Sequence, residues 1–240
     1  MHRLDLFCTD ILEPDDSSSP EIVQLEMVPK ILEFHTSESS KLTTKLLYAK
    51  GQDGRPAFNF MDLRRLSMSF ARDDEPNVRY LLRNAELLEE LRLSLRPGQS
   101  LTQLHDVLSL RAPTLKVLDL EVALIDYYVG VLLAGLCEEL EAKAGHNTLE
   151  ALSFEVRVED HIEREYIIGL IIQKVEKVLV KPGWSALRQV SLKVSILCCP
   201  VSAEVSEVLQ SLPDIYLSHL SKLESVAFNY SAYGKCKLNI

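Results

Sequence analysis

The sequence predicts an α/β fold in which short parallel strands and helices alternate in a repeating, solenoid-like order. A six-residue pattern with apolar residues at its first, fourth and sixth positions recurs along the chain. Segments with apolar residues spaced three and four apart, as in amphipathic helices, follow most copies. Turn-forming residues such as Pro182 and Gly183 often precede the next copy. Because one such unit cannot cover its own apolar edge, neighbouring units are expected to stack on one another.

The clearest copy of the pattern is residues 88–93, with the sequence LEELRL. Its first apolar spacing of three fits one helical turn, and its second spacing of two fits a strand. The first position is therefore expected to pack beneath the start of the strand, and positions four and six to point into the core. Positions five and seven then face the other side of the sheet. Copies begin near residues 1, 29, 63, 88, 115, 149, 187 and 223.

The copies share more than their apolar positions. In a chain that is 47% hydrophobic, three apolar residues at fixed offsets occur by chance at about one start in ten, so matches alone prove little. However, the second position is charged in seven of the eight copies, against 25% charged residues overall. The ninth position is small in six copies, with Arg96 and Arg157 as the exceptions. We therefore interpret the repeat as genuine.

The chain is predicted to form a single repeat domain over residues 1–240. Helices are expected to begin near Pro76, Ser100, Asp126, Asp160 and Ser202, where Ser and Asp are suitable N-cap residues. Residues 13–20 and 51–57 are predicted to be mobile loops, because they are rich in acidic, Ser, Pro and Gly residues.

The Leu-x-x-Leu-x-Leu pattern at these intervals resembles the leucine-rich repeat over nearly the whole chain. Residues 28–34 and 112–118 look like the repeat regions of fungal F-box/leucine-rich-repeat proteins. The resemblance implies a concave parallel sheet with helices on the convex side, and protein binding as the substrate-recognising part of a ubiquitin-ligase receptor. Two features depart from the family: the consensus Asn or Cys at position nine is missing, and several intervals exceed the usual length of about 20–29 residues.

An F-box itself is not evident. Residues 19–23, SPEIV, resemble the opening phrase of an F-box only faintly; Pro29 follows too soon, and the single Trp lies at position 184. The chain is therefore expected to be an excerpt from, or a truncated relative of, a longer protein, and a Skp–cullin ligase would be reached only through the missing F-box. The alternative function is a stand-alone repeat scaffold or inhibitor with no ubiquitin link.

Composition argues against other classes of partner. The net charge of -9 disfavours nucleic-acid binding, which depends on clustered Lys and Arg. The N-terminus lacks the apolar core of a signal peptide, and the longest apolar run, residues 166–172, is far shorter than a membrane span. The five cysteines show no CxxC spacing. We expect an intracellular protein, cytoplasmic or nuclear, that binds neither nucleic acid nor membrane.

The sequence predicts no catalytic, metal or cofactor site. No glycine-rich phosphate loop is present, and Gly51–Gly54 is interpreted as a turn. His161 and Glu165 lie one helical turn apart and could hold a metal, but a solvated pair at a helix start explains them more simply. The protein is therefore predicted not to be an enzyme. A pocket of convergent His, Cys and acidic groups, or an ordered metal, would favour the alternative of an enzyme on an α/β fold.

Positions five and seven of the copies define a candidate binding surface on the concave face. Since neighbouring strands lie about 4.8 Å apart, residues of the central copies should form one mixed, mostly acidic patch. We expect this central patch to bind a protein with a basic segment; the alternative is a solvated sheet face with no partner. The candidate residues are Arg92, Asp119, Glu121, Ser153, Glu155 and Lys193.

Overall fold

The structure is a computed structural model in which all eight predicted strands and part of the connecting chain are described. It describes residues 3–6, 30–36, 40–51, 53–70, 75–95, 114–124, 137, 140–141, 145, 148–158, 165–196, 203–223 and 225–234. The predicted loop at 13–20 and the predicted helix after Ser100 lie outside these residues, as does most of the predicted helix after Asp126.

The described strands form one eight-stranded sheet that is parallel throughout. Its strand order is the order of the chain, β1 to β8, so each strand pairs with the one before it and the one after it. Residues 66–68, 91–93 and 118–120 lie on successive neighbouring strands, as the sequence predicts. The strands are β1 (Arg3–Leu6), β2 (Glu33–Thr36), β3 (Arg65–Phe70), β4 (Glu90–Leu95), β5 (Val117–Leu124), β6 (Ala151–Val158), β7 (Gln189–Ile196) and β8 (Ala227–Gly234).

Four α-helices are described between these strands. They are α1 (Ser40–Leu47), α2 (Glu75–Asn84), α3 (Glu165–Leu179) and α4 (Ala203–Tyr216). Helices α2, α3 and α4 begin within a few residues of the predicted starts. Pro76 fits the first turn of α2, where its missing N–H would have no helical partner. Helix α1 was not predicted, although its leucines at positions 42, 46 and 47 have helical spacing.

One apolar core lies between the sheet and the helices. Leu66, Leu91 and Leu152, at inward positions of their strands, belong to the same buried cluster as Leu81 of α2 and Ile172 of α3. The described helices therefore cover one face of the sheet. Along β6, buried and partly exposed residues alternate throughout, as expected for a strand with one covered face.

The first position of the pattern is buried, as predicted. In the five copies that begin at residues 63–187, a leucine at this position packs under the start of each strand and is nearly inaccessible to solvent. These residues are Leu63, Leu88, Leu115, Leu149 and Leu187. The leucine spacing of three at the start of each copy thus anchors the turn before the strand to the core.

The strand register differs from the predicted one in the second and the last copy. Phe34 pairs with Leu66, whereas the prediction placed Leu32 there. Likewise, Phe228 pairs with Val190, whereas the prediction placed Val226 there. In both copies, each position of the pattern is occupied by the residue two places later in the sequence than predicted. A shift of two residues leaves every side chain on the same face of a strand, so apolar alternation cannot detect it.

The corrected register places two polar residues at inward positions, and each has a hydrogen-bond partner. Thr36 is buried, and its hydroxyl lies 3.0 Å from that of Thr43 in α1. Tyr230 donates a hydrogen bond of 2.7 Å to the backbone carbonyl of Leu209 in α4. Four residues after Leu209 is Pro213, which has no N–H to bond this carbonyl. The tyrosine therefore supplies the donor that the proline lacks.

The predicted turn at residues 51–54 is present, since the backbone N–H of Gly54 bonds to the carbonyl of Gly51 at 3.0 Å. Gly54 has a φ of 77°, a conformation that favours glycine. None of the helices described is long and apolar enough to cross a membrane.

Candidate functional site

The sheet face opposite the helices, called the open face below, carries the candidate site. Its side chains are mostly charged, or small and polar, and they lie in rows that cross the strands. One row contains His35, Ser67, Arg92, Asp119, Ser153, Ser191 and Asn229. The next row contains Ser69, Ser94, Glu121, Glu155, Lys193 and Ser231.

The two corrected copies change the membership of these rows. The prediction placed Glu33 and Ala227 in the first row, but the register gives those places to His35 and Asn229. Glu33 instead lies opposite Arg65, near the start of the strands. Glu33 therefore does not belong to the first row, and the register predicted for the β2 copy is wrong.

The structure brings the six candidate residues of the central patch together on four consecutive strands, β4 to β7. Arg92, Asp119 and Ser153 are successive neighbours in the first row. Glu121, Glu155 and Lys193 are successive neighbours in the second row. The guanidinium of Arg92 lies 3.9 Å from the carboxylate of Asp119, and its side chain is 58% exposed. At this distance and exposure the ion pair is weak.

Arg157, which was not among the predicted site residues, joins the two glutamates of the patch. Its Nη1 lies 2.8 Å from Glu121 Oε1, and its Nε lies 3.1 Å from Glu155 Oε1. The patch is therefore less acidic than predicted, because this guanidinium sits between the two carboxylates. The signal for Arg157 was its position two residues after Glu155, which places both on one face of a strand.

Glu155 is the acceptor at the centre of a hydrogen-bond network. Besides Arg157, its Oε1 accepts hydrogen bonds from the hydroxyl of Ser195 at 3.4 Å and from that of Tyr233 at 3.2 Å. Desolvation raises the pKa of Tyr233 above its usual value, and the charge of the Glu155 carboxylate raises it further. These contacts hold the side chains of β6, β7 and β8 in fixed positions relative to one another.

Lys193 lies opposite Glu155 in the register but does not pair with it. Within the part of the chain that the structure describes, Lys193 forms no ion pair, since the Glu155 carboxylate points toward Arg157 and Tyr233 instead. Its other row neighbour is Ser231 of β8. Lys193 therefore adds a positive charge at the β7 end of the central patch.

A pocket of about 250 Å³ opens on the same face, between β2, β3 and β4. Arg65 is its central charge: its Nη1 lies 3.0 Å from Glu33 Oε1, and its Nε lies 3.2 Å from Glu90 Oε1. His35 and Ser67 also line this β2–β4 pocket, as does Arg92, which belongs to the central patch as well. The sequence prediction missed the pocket, because the register error at β2 put Glu33 in the wrong row.

No group of three or more His, Cys, Asp and Glu side chains suited to a metal ion occurs among the residues with described positions. Comparisons with protein-family models, with curated proteins and with solved structures gave no match for this chain. The leucine-rich-repeat relationship therefore depends on the sequence pattern and stays a prediction.

Proposed function

We propose that the chain is a protein-binding module of the leucine-rich-repeat type whose open face binds a protein partner through a basic segment. The observation that supports this most directly is the eight-stranded parallel sheet in chain order, with helices on one face and charged side chains on the other. A solenoid uses such a sheet face as an extended binding surface, because side chains from many strands contribute to one flat array.

The charges of the protein favour a basic partner in two ways. The net charge of -9 creates a long-range field that attracts positively charged proteins and speeds their encounter. At the patch itself, the weak Arg92–Asp119 pair can be broken at small cost, which frees the Asp119 carboxylate to bind a cationic side chain. In the Glu121–Arg157–Glu155 network, in contrast, one guanidinium holds two carboxylates in place, and the network provides a rigid base with one net negative charge beside Asp119.

A role as the substrate-recognising part of a ubiquitin-ligase receptor is the specific form of this proposal, and it is supported only by the resemblance of the repeats. The alternative is a scaffold or inhibitor without a ubiquitin link. Binding of purified Skp-type adaptor to the natural full-length protein distinguishes the two: binding supports the receptor role, and its absence favours the scaffold.

The proposal is tested by reversing charges in the central patch. The variants are Arg92→Asp, Asp119→Arg and the double exchange, with Lys181→Ala as a control at an exposed ion pair with Glu141 outside the patch. A partner is first captured with the wild-type protein and identified by mass spectrometry, and its affinity for each purified variant is then measured by calorimetry.

Asp119→Arg is expected to weaken binding by about tenfold or more, because a like charge then faces the basic segment. The control variant should bind as the wild type does. Since both patch side chains are substantially exposed, the melting temperature should change by no more than about 2 °C. A partner that binds all variants equally, or a variant that loses stability instead of affinity, would show that this surface is not the binding site.

A further inference from the structure

We infer that the β2–β4 pocket receives one lysine or arginine side chain of the protein partner. This inference rests on the proposed function and extends it, since it assigns the anchoring residue of the basic segment to a pocket in which Arg92 is the one lining residue among the six predicted. The carboxylate of Glu90 is the main acceptor in this assignment.

Glu90 ends an alternating row of charges across the first strands. In the register, Glu33, Arg65 and Glu90 follow one another on β2 to β4, and the next residue, on β5, is the apolar Val117. Glu90 therefore has a cation on its β3 side only. A basic side chain from a partner, placed over Val117 or in the pocket beside it, continues the alternation and gives Glu90 a second positive neighbour.

The balance of charge around the pocket also favours a cation. Two carboxylates (Glu33 and Glu90) and two guanidinium groups (Arg65 and Arg92) line the pocket, and Asp119, outside the lining, lies 3.9 Å from Arg92. The side chain of Glu33 is only 9% exposed, so its charge is poorly screened by water. Because Arg92 is paired with Asp119, the group of Glu33, Arg65 and Glu90 keeps one net negative charge, which disfavours an anion in the pocket.

The hydrogen-bonding groups match the same ligand. Glu33 and Glu90 each use one carboxylate oxygen to bind Arg65, and the second oxygen of Glu90 makes no hydrogen bond within the described residues. The Ser67 hydroxyl adds a further acceptor at the pocket wall. Guanidinium and ammonium groups carry donors only, and a volume of about 250 Å³ holds one long side chain in place of several waters of about 30 Å³ each.

The test uses the full chain and a fluorescein-labelled nine-residue peptide of Gly and Ser with arginine at its centre. A second peptide carries citrulline, the neutral isostere of arginine, at the same position. Fluorescence anisotropy measures the affinity of each peptide for the wild-type protein and for Glu90→Gln. The matched control is Glu89→Gln, because Glu89 is the neighbouring glutamate but pairs with Arg64 and Lys116 outside the pocket.

We expect the arginine peptide to bind the wild type at least about fivefold more tightly than the citrulline peptide, since a charge-assisted hydrogen bond is lost with the charge. Glu90→Gln should reduce this preference to near one, while Glu89→Gln should leave it unchanged. Equal binding of the two peptides to the wild type overturns the inference even where Glu90→Gln fails to fold. Tighter binding of a matched glutamate peptide would assign the pocket to an anion instead. These results concern the pocket alone, since the proposed function is decided separately by the Asp119→Arg variant and the captured partner.

Discussion

The close contact between α3 and α4 gives a sharp test of how neighbouring helices stack. Gly169 lies in α3, and a Cβ atom added to it would be 2.6 Å from Cε2 and from Cζ of Tyr216, the last residue of α4. Favourable carbon–carbon contacts are about 3.5–4.0 Å, so the tyrosine ring would have to move by about 1 Å. Glycine at this position therefore lets the ring pack directly against the helix backbone.

Two opposing effects determine the result of Gly169→Ala. Alanine is a better helix former than glycine by about 1 kcal/mol, which stabilises the folded state. Overfilling a packed contact costs about 1–3 kcal/mol, and the half-buried Tyr216 ring packs against the core, so its displacement loses contacts. In the wild-type background we expect no gain in stability, or a loss of up to about 2 kcal/mol.

The decisive comparison is made in a Tyr216→Ala background, where the ring is absent. There, Gly169→Ala should stabilise the protein by about 1 kcal/mol, because only the helix-propensity effect remains. Urea unfolding of the four proteins in this double-mutant cycle gives a coupling energy, which we expect to be about 1–3 kcal/mol. If Gly169→Ala changes the free energy of unfolding equally in both backgrounds, α3 and α4 do not pack as described.

Three further predictions concern the core and its polar residues. Leu91→Ala should destabilise the protein by about 2–5 kcal/mol in urea unfolding, because Leu91 is 1% exposed. The control variant Leu87→Ala, at a 45% exposed position, should cost less than about 0.5 kcal/mol. Thr43→Val should cost about 1–3 kcal/mol by calorimetry, because it leaves the buried Thr36 hydroxyl without a partner, and adding Thr36→Val should recover most of the loss. Burial raises the pKa of Tyr230 above its usual 10.0. The contribution of Tyr230 to stability is therefore complete below pH 10 and is lost as the pH rises above that value. Tyr230→Phe should make the fall of the unfolding free energy at alkaline pH shallower. A double valine variant no more stable than Thr43→Val, or an unchanged alkaline slope in Tyr230→Phe, would contradict these assignments.

Much of the fold could be predicted from local pattern. The six-residue copies located the strands and their order, because a strand with one buried face must alternate and stacked units must follow the chain. Helix α1 was missed, although most of its residues, SKLTTKLL, are Leu or Lys, which favour helices. The position of its buried Thr43 against β2 could not be predicted, because that contact exists only in the folded chain.

The candidate site was predicted in part. Arg92, Asp119, Glu121, Ser153, Glu155 and Lys193 do lie together, since the register of the middle copies was correct. The network around Arg157 was missed because the consensus treats that position as a turn residue. The β2–β4 pocket was missed because the frame of the second copy was displaced by two residues.

The sequence by itself determined which residues face the core and in which order the strands lie, because both follow from spacing along a single chain. For β2 and β8, only the tertiary structure decided which residues face their neighbours across strands. Side chains alternate between the two faces of a strand. Two registers that differ by two residues therefore put the same residues on the apolar face, and the local sequence pattern cannot choose between them. The observed register is accompanied by contacts between residues distant in sequence, such as the hydrogen bond from the Tyr230 hydroxyl to the Leu209 carbonyl, which Pro213 leaves without a helical donor.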